Sequence, residues 1–169
     1  LGPASIAGFF GNFLLGYLPY TMWLTFFPFA ETSYEWNAKN PRSWSAYISI
    51  NVISSFACAV TIGLMVDALG FVPYAVVSRI IAINNIIGNF LGVILLIAVY
   101  DVTKNQLGLL WIDVMRVKTV GLSVRGICGA WIIAIGSIAG LCAGFIPGLP
   151  TTAIIWSSLM LIILGSLIL

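Results

Sequence analysis

The sequence predicts an all-α fold, a polytopic transmembrane helical bundle, and three observations carry that expectation. Of 169 residues, 61% are hydrophobic and 7% charged, whereas a soluble domain carries about 25% charged residues. The apolar residues gather into runs of about twenty to thirty, long enough to cross a hydrocarbon core of ~30 Å at ~1.5 Å per residue. The runs are continuous, unlike the short alternating segments of a membrane β-barrel, and in lipid a helix satisfies its own backbone.

Composition narrows the function as well. The chain reads as one integral membrane domain, 1–169. Its longest polar stretches, 31–43 and 101–121, leave no room for a soluble catalytic domain. A net charge of +2 gives no electrostatic footprint for nucleic acid. There is no histidine, and Cys58, Cys128 and Cys142 lie in apolar runs without a CxxC pair. They read as small packing residues, so neither a metal site nor a cofactor is expected. Asp67, Asp101 and Asp113 sit at segment ends with no nucleophile–base pair in view, so no catalytic residue is expected and the chain does not read as an enzyme. No segment has the repeated charge or filter-like stretch of a channel. The GxxxxGK[ST] phosphate loop is missing too. Energy for active transport would then come from a partner or an ion gradient.

The first span is expected over 3–29. Ser5, Gly8, Asn12 and Gly16 form a small and polar line at helical spacing, which suits either close helix packing or a cavity wall with Asn12 as its hydrogen-bonding group. Pro19 should break or kink the helix. Tyr20 and Trp23, with Tyr17 before them and Phe26 and Phe27 after, suit an approach to the headgroup interface. A polar loop, 30–43, follows, with a turn at Asn40-Pro41 and Ser43 as the expected helix cap.

The second span, 44–69, clusters Asn51, Ser54, Ser55, Cys58 and Thr61 on one side, the pattern of interhelical hydrogen bonding. Gly70 fits a C-terminal cap. The turn that follows is very short, so the second and third spans must form an antiparallel hairpin.

The third span, 72–100, reads as the organising element. It runs about thirty residues with one charge, Arg79, and sets Ser78, Ala82, Asn85, Asn89 and Gly92 on one face. Amides in the apolar layer are costly unless partnered. That face should look into a bundle or a polar cavity, with the other spans arranged around it. Arg79 and Asp67 fall near the same end of the hairpin. Arg79 is either half of a salt bridge with Asp67 or a cation facing a substrate.

Within the second polar connection, 101–121, residues 105–116 are too short to span. They read as an interfacial amphipathic helix anchored by Trp111. The fourth span, 122–146, repeats Gly136, Gly140 and Gly144 at every fourth position, a signal for close packing with a partner helix of this chain or of another subunit. After Pro147-Gly-Leu-Pro150, the fifth span, 151–169, is nearly featureless and should face lipid along much of its length.

Lys39, Arg42, Lys104, Arg116, Lys118 and Arg125 lie in or beside the two long loops, while the short turns carry no Lys or Arg. The positive-inside rule makes loops 30–43 and 101–121 cytoplasmic. The first residue is Leu1, not Met, and it opens directly into an apolar run, so a preceding signal, helix or tail is expected; a helix there would make six spans of the five visible.

The runs GPASIAGFFGNFLLGYLPYTMW (residues 2–23), NNIIGNFLGVILL (84–96) and LGLLWIDVM (107–115) resemble the substrate-binding subunits, or S components, of energy-coupling factor (ECF) transporters. The resemblance covers about two-thirds of the chain and rests on diffuse Gly, Asn, Pro and aromatic motifs. It implies a six-helix protein of the prokaryotic inner membrane that captures a vitamin-like solute at its outer side. It also implies partners, a transmembrane coupling subunit and two cytoplasmic ATPases. The family's docking motif has no match here, since it lies on a helix before Leu1. The candidate solute contacts are Arg79 for a carboxylate, with Asn12, Asn85 and Asn89 for a heterocycle or amide. Tyr20, Trp23 and Tyr74 would either stack on a ring or anchor at the interface.

Two functions compete. A solute-binding transport subunit predicts a closed outer pocket of a few hundred Å³ lined by the polar stripes. A structural or accessory subunit of a larger membrane complex predicts stripes filled by neighbouring side chains, with the Gly136–Gly144 face covered by another chain.

Overall fold

The structure, a computed structural model, describes residues 2–30, 39–109, 114, 123–146 and 151–169. Among the described residues there are five α-helices and no strand. These are α1 (Ala4–Ala30), α2 (Pro41–Ala68), α3 (Tyr74–Asp101), α4 (Val124–Ala143) and α5 (Thr151–Ile168), with a π-helical turn, Val102–Gln106, continuing α3. Helices α2, α3 with its π turn, α4 and α5 are long and apolar enough to cross a membrane, which fits an integral membrane protein. Helix α1 has 27 residues, but Gly8, Gly11, Asn12, Gly16 and two tyrosines dilute its apolar content. Four helices, not five, therefore qualify by length and composition.

Helix ends follow local chemistry. Asn40, not Ser43, caps α2: its side chain accepts the Arg42 N–H at 2.9 Å, and Pro41 occupies the first helical position, where a missing N–H does no harm. Ser43 lies inside the helix and is fully buried. At the far end the Gly70 N–H reaches the Asp67 carbonyl at 2.8 Å and the Phe71 N–H reaches Val66 at 3.2 Å. This Schellman closure needs the left-handed Gly70, φ +73°. Asp67 then caps α3 from across the turn, its Oδ1 accepting the Tyr74 N–H at 3.1 Å. Helix α1 continues through Pro19, where the sequence predicts a break. Leu18 and Met22, on either side of it, are fully buried in the core, and that packing holds the helix together.

The centre of the bundle is α2, not α3. Helices α1, α3, α4 and α5 all pack against α2, and 61% of its most apolar window is buried, against 11% for α3. Ser54, Ser55, Ala57, Cys58, Ala59, Thr61 and Gly63 are small side chains pointing in several directions, and all are buried. A helix that is narrow all round admits neighbours on every side. Helix α3 is narrow on one face only, and Ile80, Ile83, Ile87, Leu91, Ile94 and Leu95 remain exposed on the others.

The helices alternate in direction. Gly11 of α1 meets Ile62 of α2, while Thr25 of α1 meets Gly126 of α4. Val60 of α2 meets Gly140 of α4, so α2 and α4 run parallel. One end of the bundle thus gathers the α2 and α4 N-termini with Lys39, Arg42 and Arg125. The other gathers the turn at 69–73, the end of α4 and the start of α5. Residues 105–106 belong to the π turn and 107–109 are not helical. Nearly all the rest of the expected interfacial helix lies outside the described residues.

Candidate functional site

The amide-bearing face of α3 turns toward α2 and is occupied there. Asn85 Nδ2 donates to Cys58 Sγ at 3.3 Å, and Asn89 Nδ2 donates to Ser55 Oγ at 3.2 Å. The Asn89 carbonyl accepts the Tyr47 hydroxyl at 2.9 Å. Ser78, fully buried, donates to the Tyr74 carbonyl at 2.7 Å. Asn85 and Asn89 thus meet Cys58 and Ser55 of the α2 stripe, with Ala82 buried among them, while Ser54, Thr61 and Ser78 bond to carbonyls of their own helices. Gly92, at the end of the stripe, is exposed.

Three further expectations resolve in the same way. Gly136 faces α5, where an added Cβ would stand 2.9 Å from Leu161 Cβ. Gly140 faces both α5 and α2, with Ser158 Cβ and Val60 Cγ2 each at 2.9 Å from an added Cβ. Gly144 faces the Tyr74 ring, with Cε1 at 3.2 Å. The glycine line is packed by this chain's own helices.

The remaining candidates do not share one pocket. Asn12 is exposed on the open face of α1. Tyr20 is half exposed, and Trp23 packs against the core toward the Thr25–Gly126 end. Tyr74 and Arg79 lie at the opposite end, where the structure brings them together.

That end holds a cavity of about 470 Å³, edged by Asp67, Tyr74, Arg79, Gly144, Phe145, Thr151 and Thr152. Its geometry follows from four helix termini meeting there, the ends of α2 and α4 and the starts of α3 and α5. Arg79 does not pair with Asp67: its guanidinium donates to the Gly144 carbonyl at 2.7 Å and lies over the Phe145 ring at 4.0 Å from the centroid. A cation at the C-terminal end of α4 also complements the helix dipole. Tyr74 is nearly buried, and its hydroxyl donates to the Gly140 carbonyl at 2.8 Å. Tyr74 and Asp67 are thereby fixed in the scaffold. Arg79, exposed and with most of its five N–H donors uncommitted, is the group able to meet a ligand. The sequence reading missed Phe145, Thr151 and Thr152. Their signal was position, since in the sequence they flank residues 147–150, where the sequence predicts a tight turn that lies outside the described residues.

A second cavity, of about 530 Å³, lies between the N-terminal halves of α2 and α4 at the other end. Two buried polar atoms in the core, Asn51 Nδ2 and Ser137 Oγ, have no partner among the described residues. No group of three metal-ligating side chains occurs among the described residues. No family model, curated protein or solved structure matches the chain.

Proposed function

We propose that the chain is a membrane-embedded solute-binding subunit of a transporter, and that its solute carries an anionic group received by Arg79. The observation that carries this reading is an open cleft of about 470 Å³ with an exposed guanidinium at its wall, within the size range of small-molecule sites. It lies at the Arg79 end and not along the amide stripe, where the sequence predicts the pocket. An ionisable residue inside a membrane span is by default a candidate functional group, and Arg79 is the one charge between residues 72 and 100. On this reading α1 crosses as a fifth span, and the end bearing Arg42 and Arg125 is cytoplasmic by the positive-inside rule. The Arg79 cavity then opens outward, and the inner membrane of a prokaryote is the setting. The resemblance to ECF S components supplies the partners, a coupling subunit and ATPases, because this chain has no phosphate loop of its own.

A second reading, a structural subunit of a larger membrane complex, is favoured by the amides of α3, which are partnered inside the bundle. Mass spectrometry of small molecules retained by the purified protein separates the two. The first reading expects a retained or added solute, raised thermal stability on binding, and loss of that shift in Arg79→Ala. A purified protein that is empty and unshifted across a panel of vitamin-like carboxylates leaves the structural reading standing.

A further inference from the structure

The cavity between α2 and α4 is independent of the solute site and points to a different ligand. Its walls are apolar, with Ile53, Ala130 and Ala134 inside and an exposed Trp131 at the rim. Its polar groups are confined to Arg42, Ser45 and Ser49 on the first turns of α2. The Arg42 guanidinium makes no hydrogen bond or ion pair with another described residue; only the backbone of Arg42 is engaged. Helices α2 and α4 are parallel and both begin at this end, so their dipoles add positive potential where Arg42 lies. A hydrocarbon slot running from a cationic mouth into the apolar layer matches a molecule with an anionic head and an acyl chain. We propose that this cavity binds an anionic phospholipid, its phosphate at Arg42 and one acyl chain along Trp131 and Ala134. Basic pockets between transmembrane helices bind lipid headgroups in this way.

The test uses the full chain in detergent, titrated with a phosphatidylglycerol and with a phosphatidylcholine of the same acyl chains. Bound lipid is read by native mass spectrometry. The expected result is preferential binding of the phosphatidylglycerol. Arg42→Gln should weaken it by about fivefold and weaken the phosphatidylcholine less, since the choline ammonium already offsets the charge of its phosphate. Ala134→Phe, which fills the slot, should weaken both lipids. If Ala134→Phe fails to fold by circular dichroism, Trp131→Ala at the exposed rim takes its place with the same expectation. Equal binding of the two lipids by the unmodified chain overturns the proposal. So does phosphatidylglycerol binding that survives the filled slot, or its displacement by inorganic phosphate at equal concentration.

Discussion

Helices α5 and α3 each lie against a neighbour, by different means. Between α4 and α5 the contact is backbone on backbone. A Cβ added at Gly129 would stand 2.9 Å from the Gly165 carbonyl oxygen, and one added at Gly165 would stand 2.8 Å from the Gly129 carbonyl oxygen. Between α2 and α3 the close approach is at Gly63, where an added Cβ would stand 3.1 Å from Ser78 Cβ, and the seam also carries polar pairs, Asn85 with Cys58, Asn89 with Ser55, and Tyr47 with the Asn89 backbone. Lipid tails are as apolar as leucine, so helices in a membrane join through close packing or hydrogen bonds. The bundle joins α4 and α5 by the first, and adds the second to the packing at Gly63 between α2 and α3. The candidate cavity lies where the two meet. Gly144 and Thr151 come from the closely packed pair, while Tyr74 and Arg79 come from the sparsely buried helix.

The comparison breaks first at the glycine seam. Gly165→Val puts a branched side chain against the Gly129 carbonyl and Ile133. Backbone cannot move aside as a side chain can, so the loss should be about 3 kcal/mol, the upper part of the overpacking range. Thermal unfolding in detergent, followed by circular dichroism, measures it. A variant as stable as the parent would show that α5 does not pack on α4 as described.

The amide seam should be weaker. Asn89→Leu removes the Ser55 bond and leaves Tyr47 free to keep its bond to the backbone carbonyl. Single interhelical hydrogen bonds in membrane proteins average about 0.6 kcal/mol and reach about 1.7. A loss near 1 kcal/mol is expected, with α1, α2, α4 and α5 undisturbed. Cysteine accessibility offers a second readout. Cys58 is buried under Asn85, and loosening α3 should raise its labelling rate relative to the exposed Cys128 and Cys142.

Much of this architecture is legible in the sequence, for a definite reason. An apolar run bounded by Gly, Pro or charge has few alternatives to a helix in lipid, so the helices fall within a few residues of expectation. The cap of α2 is Asn40 and not the expected Ser43, because both residue types cap well and Pro41, suited to the first helical position, starts the helix one residue after Asn40. The centre of the bundle was not legible from the amides of α3. An amide stripe says that one face meets protein; it does not count the neighbours. The better signal was the all-round smallness of α2 from Ser54 to Gly63. The Asp67–Arg79 salt bridge failed as an expectation because each group found a helix terminus, the N-terminus of α3 for Asp67 and the C-terminal end of α4 for Arg79. Such competition is invisible until the ends are brought together. Asn12 could not be assigned a direction from spacing alone, since its small-residue line suits an open face as well as a packed one.

The smallest effect is also the sharpest test of the contrast, because it uses one substitution at two sites. Gly136 on α4 and Gly92 on α3 are both helix-interior glycines. An alanine Cβ at Gly136 would meet the Ser158 carbonyl oxygen at 3.0 Å and Leu161 Cβ at 2.9 Å, whereas at Gly92 nothing lies within 4 Å. Alanine favours a helix over glycine by up to about 1 kcal/mol. At Gly92 that gain is unopposed, so Gly92→Ala should be neutral or stabilising by about 0.5 kcal/mol. At Gly136 the same gain is set against a crowded seam, and Gly136→Ala should be destabilising. Unfolding curves for the two variants should therefore move in opposite directions from the parent. If Gly92→Ala destabilises as Gly136→Ala does, the end of the α3 stripe at Gly92 is not open, and another helix covers it in the assembled protein.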